Sequence, residues 1–258
     1  MKRIIALLCM TGLLAMMSVS AKATVIANAA LDTLVEDGLI QIGHHNYPLP
    51  PGEWGLIAKG SRNVRNVRNQ SDGAQVISGY LINTKDKQFR AGIQISATVS
   101  SSNIGYWVEE PCKKNDVYFK DTLHGNYGFP ECLIVNHYVA LLRPSDTWMN
   151  DAAKWVEANQ IVVPQTALAT VYDKYENGDF VQVRFWINPE LAGQKPSKIA
   201  DSWIRNDWHK DRVAKDAEKL AYLGKFVGWA KQVPPIYRSA LISSKRPADL
   251  TEFPELAK

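Results

Sequence analysis

The sequence predicts an α+β fold: a mostly antiparallel β-sheet followed by helices in the C-terminal half, in a single domain. Three observations carry that prediction. Residues 90–100 alternate apolar and polar side chains at period two, the signature of a strand. Asn177-Gly178 lies between two runs rich in aromatic and β-branched residues, a strong hairpin signal. Beyond residue 207 the apolar spacing changes to steps of three and four, the helical period.

The amino terminus stands apart from that domain. Lys2 and Arg3 form a basic head, and Ile4 to Met17 form an apolar run interrupted only by Thr11 and Gly12. Ala21-Lys22-Ala23 then places small residues at the two positions a signal peptidase reads. Residues 1–23 are therefore expected to be a cleavable secretory signal peptide, with Val19-Ser20-Ala21 offering a second cut. The run is shorter than the roughly 20 residues that span a bilayer, so no transmembrane anchor is expected after cleavage. Cys9 follows Leu7-Leu8 rather than a small residue, which argues against a lipoprotein. Residues 24–258 form the expected single domain. The full chain carries a net charge of +4. Losing Lys2, Arg3 and Lys22 reduces 30 basic residues to 27, against 26 acidic ones. A near-neutral mature chain argues against nucleic acid as a partner.

Within the domain, Leu39–Ile42 reads as a short strand. Pro50-Pro51-Gly52 is a turn, because proline presets φ at the second position and glycine accepts positive φ at the third. Glu53–Ala58 is the next strand. Gln75–Asn83 and Arg90–Ser100 form an antiparallel pair around the polar turn at 84–87. Ile93, Ile95, Ala97 and Val99 give that second strand a buried face, and Gln94, Ser96, Thr98 and Ser100 a wet one. Lys113–Glu131 reads as a long polar excursion. Cys132–Leu142 is almost wholly apolar, as a strand buried on both faces is. Asp146 is placed to cap a helix over Trp148–Ala158. Ala167–Glu176 and Phe180–Asn188 flank the Asn-Gly turn, with Val181, Val183, Phe185 and Ile187 sharing one face. In the tail, Asp207 is expected to cap one helix over Trp208–Gln232, stopped by Pro234-Pro235. Its apolar stripe runs through Val213, Ala217, Leu220, Leu223, Val227 and Ala230.

No nucleophile elbow, HExxH, Walker loop or dinucleotide fingerprint occurs. Four small groups of residues remain. His44-His45 has the right chemistry for Zn²⁺ or Cu²⁺, but no third or fourth ligand lies nearby in sequence. The expectation there is an exposed loop pair, with no metal and no cofactor. His137, after Asn136, reads as a hydrogen-bonded core histidine rather than a general base. Glu109, Glu110, Asp116 and Glu131 surround the cysteines and read as solvated loop charge rather than an acid/base pair. Arg62, Arg65 and Arg68 recur every third residue. The first expectation for this segment is a solvated loop, but planar guanidiniums suit carboxylates, phosphates or anionic glycans, which makes it the best candidate binding feature in the sequence.

After cleavage two cysteines remain, Cys112 and Cys132. An even pair in an oxidising compartment is most simply one disulfide. Closing a loop of about 20 residues contributes roughly 3 kcal/mol in the chain-entropy account.

Leu49-Pro50-Pro51-Gly52-Glu53-Trp54 after a signal peptide, Pro111-Cys112-Lys113 with Glu131-Cys132-Leu133 and Asn136-His137, and the tryptophans 203, 208 and 229 form a recognisable set. The set resembles a group of exported proteobacterial proteins. The resemblance implies export and disulfide bonding, and no mechanism. Two functions follow as expectations. One is a periplasmic or secreted, non-enzymatic protein of the cell envelope that binds a glycan, lipid or protein. The other is a periplasmic hydrolase whose site is assembled in space. Mass spectrometry of the non-reduced exported protein checks the first premises together. The expected chain starts at Thr24 or Lys22 and holds Cys112 linked to Cys132. An intact Met1 contradicts export, and two freely alkylated thiols contradict the bond.

Overall fold

The hairpin at Asn177-Gly178 forms as its turn chemistry requires, in a computed structural model that describes residues 23–35, 38–65, 71–100, 113–125, 129–142, 144, 147–199, 201–243 and 245–254. The strands in chain order are β1 (Thr24–Val25), β2 (Thr33–Leu34), β3 (Leu39–Ile42), β4 (His45–Pro48), β5 (Gly55–Arg65), β6 (Ser71–Lys85), β7 (Gln88–Thr98), β8 (Phe119–His124), β9 (Glu131–Val139), β10 (Thr166–Glu176) and β11 (Asp179–Ile187). The helices are α1 (Met149–Ala158), α2 (Lys210–Val213), α3 (Ala217–Ala230) and α4 (Val233–Ile242). Glu176 faces Asp179 across a two-residue turn in which Asn177 and Gly178 both have positive φ, at 51° and 88°. That backbone matches the right-handed twist of the flanking strands.

Eight strands form one antiparallel sheet in the order β2-β5-β6-β7-β11-β10-β9-β8. It is two meanders, β5 to β7 and β8 to β11, joined where β11 lies beside β7. A smaller sheet pairs β3 with β4 antiparallel and with β1 parallel. The α+β class, with its mostly antiparallel sheet and helices in the C-terminal half, is thus the one the sequence predicts. The turn between β6 and β7 is tighter than the polar stretch suggested. Asp86 and Lys87 take φ of 51° and 58°, so Lys85 pairs directly with Gln88.

Apolar layers cover both faces of the sheet. On one, Ile93, Ile95 and Ala97 of β7 join Val181, Val183, Phe185 and Ile187 of β11, with Phe226, Trp229 and Tyr237 packed above them from the helices. On the other, Tyr80, Ile82, Phe89 and Trp186 meet Ala152 and Val156 of α1. The wet face expected on β7 is accordingly drier than alternation alone implies. Ser96 and Thr98 are buried, and the Ser96 hydroxyl pairs with that of Ser78 at 2.7 Å. Burial of both faces also accounts for β9, whose first seven residues have almost no exposed surface.

Three expectations change. The excursion between the cysteines is not all loop, because residues 119–124 add an edge strand, β8, alongside β9. The tail is not one helix. Asp207 accepts a hydrogen bond from the Lys198 amide at 2.8 Å, while His209 sits at the cap of α2 and Asp216 caps α3 by accepting from Lys219 N. Pro234-Pro235 does not end a helix but opens α4, since the first turn needs no amide donors from its leading residues. The buried stripe of α3 is Tyr222, Leu223, Phe226, Trp229 and Ala230, and Leu220 is 49% exposed. Val213, Leu223 and Ala230 of the expected stripe are buried, and the aromatic rings take the core positions beside them. Trp148, not Asp146, occupies the cap position of α1; Asp146 lies outside the described residues. No described helix is long and apolar enough to cross a membrane.

Glu131 opens β9 with no exposed surface. Arg238 of α4 donates to both of its oxygens at 2.6–3.1 Å, Tyr172 donates at 2.9 Å, and the Lys174 ammonium lies 3.4 Å away. Burial alone would raise this carboxyl's pKa. The hydrogen bonds from Arg238 and Tyr172 and the charges of Lys174 and Arg238 outweigh it and hold the pKa below the usual carboxylate range. Glu131 is therefore a structural anion, not solvated loop charge. Removing one partner of a wholly buried ion pair costs about 3–5 kcal/mol. Arg238 is 36% exposed and Lys174 would remain, so Arg238→Ala should cost less, about 2–3 kcal/mol. Arg246→Ala, which breaks an exposed pair with Asp249, should cost under about 1 kcal/mol. Chemical denaturation measures both, and equal effects would contradict the assignment.

Candidate ligand cleft

His137 reaches its position because β9 pairs with β10 in the register His137–Leu168. Its side chain is buried and stacks on the Trp203 indole, with centroids 4.8 Å apart and planes 12° from parallel. The two residues also bond reciprocally. His137 Nε2 lies 3.0 Å from the Trp203 carbonyl, which can only accept, so Nε2 carries the proton. The Trp203 indole donates to the His137 carbonyl at 3.2 Å. His137 Nδ1 faces the Asn136 amide oxygen at 3.3 Å, and that amide is oriented by its own bonds to His137 N and to the Asp116 carbonyl.

The loop that delivers Trp203 is held by short polar side chains. Asn206, with no exposed surface, donates to Thr166 Oγ1 and the Ile199 carbonyl and accepts from Trp208 N. Ser197 accepts from Asp207 N. Tyr118 donates to the Trp208 carbonyl, tying the loop to the segment before β8. Asp116 pairs with Lys210 at 2.6 Å, and His209 lies 3.7 Å away. The hydrogen bond from Lys210 is the largest influence lowering the Asp116 pKa.

Beside His137 lies a cleft of about 470 Å³, with Trp203 and Tyr138 as aromatic walls and Asn115, Asn136 and Asp116 as polar ones. A larger cleft of about 790 Å³ lies between residues 195–198 and α2–α3. Its charges partly cancel, since Arg212 lies 3.9 Å from Asp207 and Lys219 lies 3.2 Å from Asp216.

The other sequence candidates fall elsewhere. Arg62 is exposed on β5, paired with Val76, and Arg65 pairs with Ser71 at the end of the same strand. Arg68 lies outside the described residues, as do Glu109, Glu110 and Cys112. Cys132 is fully buried on β9. Asp116 and Glu131 form no pair with each other; each is neutralised by its own cations. The histidines are not the exposed loop pair expected: His44 is exposed in the turn after β3, but His45 opens β4 and is buried by its packing against α4, and both lie close to Asp179. Trp203 and Asp179 are the residues that sequence reasoning missed as parts of sites. In the sequence Trp203 is marked only as one of several tail tryptophans. No family model, curated protein or solved structure matches this chain.

Burial is the main cause that lowers the His137 pKa, to about 4, with the charge of His209 adding to it. Its unfolded value is near 6.5. Between those values the unfolded chain binds a proton that the folded protein refuses, so stability falls as pH drops from about 6.5 toward 4. Glu131 adds to the acid loss as it protonates below the usual carboxylate range. Denaturant midpoints measured from pH 7.5 to 4 should fall steadily for the wild type. His137→Gln should flatten the part above pH 5, and an unchanged slope would contradict the assignment.

Proposed function

We propose that the protein is a periplasmic or secreted, non-enzymatic binding protein of the cell envelope, and that its ligand is a glycan held in the Trp203 cleft. The observation that carries the reading is the composition of that cleft. The Trp203 indole, held by its stack on His137, is an aromatic wall of the cleft, and the amide and carboxylate groups around it suit hydroxyl-rich ligands. A lipid or a protein partner would instead be served by a broader apolar surface.

The orientation of His137 favours binding over hydrolysis. A general base needs a lone pair aimed at the reacting proton. Here Nε2 is turned to a backbone carbonyl and Nδ1 to an amide oxygen. Export rests on the tripartite amino terminus. Cleavage after Ala23 is compatible with the fold, because Thr24 and Val25 pair with Ile40 and Gln41 in the smaller sheet. The Cys112–Cys132 link suits that compartment.

Binding of envelope oligosaccharides, followed by tryptophan fluorescence and calorimetry, tests the reading. Trp203→Ala should weaken binding by about 30-fold, the loss expected for an anchor worth ~2 kcal/mol. Trp203→Phe should retain part of it. Binding to lipid vesicles or to an envelope protein but to no glycan would overturn the glycan assignment. Turnover of any bound oligosaccharide would overturn the non-enzymatic one.

A further inference from the structure

Away from the Trp203 cleft, the β3–β4 turn meets the start of β11. Gly43 and His44 are the central turn residues, and Ile42 pairs with His45. Gly43 has φ of +60°, and a Cβ there would lie 2.6 Å from the Val99 carbonyl, so only glycine fits. The turn is thereby pressed against the end of β7. This sets the two imidazoles side by side, with centroids 3.8 Å apart. Asp179, placed by the Asn177-Gly178 turn, approaches them from the other hairpin. One ligand atom from each of His44, His45 and Asp179 lies within 4.8 Å of the others.

His45 is the informative member. It is 4% exposed, and its Nδ1 lies 3.2 Å from the Ala240 carbonyl of α4. That oxygen can only accept, so Nδ1 holds the ring's proton and Nε2 is left with a lone pair. Nε2 is buried and has no hydrogen-bond partner. The nearest carboxylate oxygen, Asp179 Oδ2, is 3.9 Å away, too far for a hydrogen bond. A buried nitrogen lone pair beside a carboxylate is a poor arrangement for the protein alone and a good one for a cation between them. The bond from Nδ1 to a backbone carbonyl is also the usual outer support of a metal-bound histidine.

We propose that His44, His45 and Asp179 bind one divalent transition-metal ion, zinc in the first instance, with a fourth coordination position open to solvent. Two imidazole nitrogens and one carboxylate oxygen suit zinc, which imposes no geometry of its own. A tetrahedral ion with bonds of about 2.0–2.1 Å needs its ligand atoms roughly 3.3 Å apart. The ligand atoms now lie up to 4.8 Å apart, so His44 and Asp179 must move inward around the fixed His45 on binding, Asp179 giving up the 3.4 Å contact that its Oδ1 accepts from Thr98. The open position faces a cleft of about 490 Å³ rimmed by Glu176, Asn177 and Ser243. Three protein ligands with one open position describe a site that exchanges water or a small ligand, unlike a closed structural site.

Calorimetric titration of the tag-free protein with Zn²⁺, after stripping with a chelator, tests the proposal. One equivalent should bind, and the melting temperature should rise with zinc concentration. His44→Gln and Asp179→Asn should each weaken binding by roughly 100-fold or more, in line with loss of a ligand from a three-ligand site. Because His44 is exposed, that variant should melt like the wild type without metal. His124→Gln, at an exposed histidine elsewhere, should bind zinc normally. Co²⁺ in place of zinc should give the intense visible bands of four-coordination. No zinc uptake at micromolar concentrations would overturn the proposal, as would uptake that His44→Gln and Asp179→Asn leave intact.

Discussion

A carboxylate with no exposed surface must find its counter-charges inside the fold, and Glu131 finds them on separate elements. Lys174 of the neighbouring strand brings a positive charge to within 3.4 Å, and Tyr172 beside it donates a hydrogen bond. The decisive partner is Arg238, 107 residues along the chain, whose guanidinium grips both oxygens. The cost of desolvating the carboxylate is offset only while α4 stays docked. Helix and sheet are thus fastened at a point where separation would strand a buried charge.

Docking α4 has consequences beyond that ion pair. Tyr237, the residue before Arg238, stacks on Tyr47 and donates to the Pro48 carbonyl at 2.9 Å. Those contacts seat the smaller sheet against the same helix. One turn on, the Ala240 carbonyl meets His45 Nδ1. The neutralised glutamate, the stacked tyrosines and the oriented imidazole therefore lie along one helix. The Trp203 cleft draws on other supports, β9 and the loop held by Asn206. The two proposed sites thus rest on different parts of the structure.

The strands were legible where local stereochemistry decides the outcome. Asn177-Gly178 can adopt positive φ at both positions, and period-two alternation along β7 and β11 marks the face that meets the helices. The second buried face of β7 was not legible, because serine and threonine look alike whether solvated or paired across strands, as Ser78 and Ser96 are. The tail misled for two physical reasons. Proline is compatible with both the end and the first turn of a helix, and a stripe counted on aliphatic residues admits the exposed Leu220 and omits Tyr222, which fills the core. Sites were the least legible. Asp179 meets His44-His45 only through hairpin packing, and Glu131 changes from loop acid to structural anion only once Arg238 arrives.

The state of the His45 ring tests the account most directly, since it depends on α4 docking and decides what the turn can bind. Nitrogen-15 NMR of the imidazole at neutral pH reads it. The structure predicts a neutral ring protonated at Nδ1, with Nε2 bare, and loss of that single tautomer when Arg238 is replaced by alanine. A ring protonated at Nε2, or an imidazolium paired with Asp179, would contradict it.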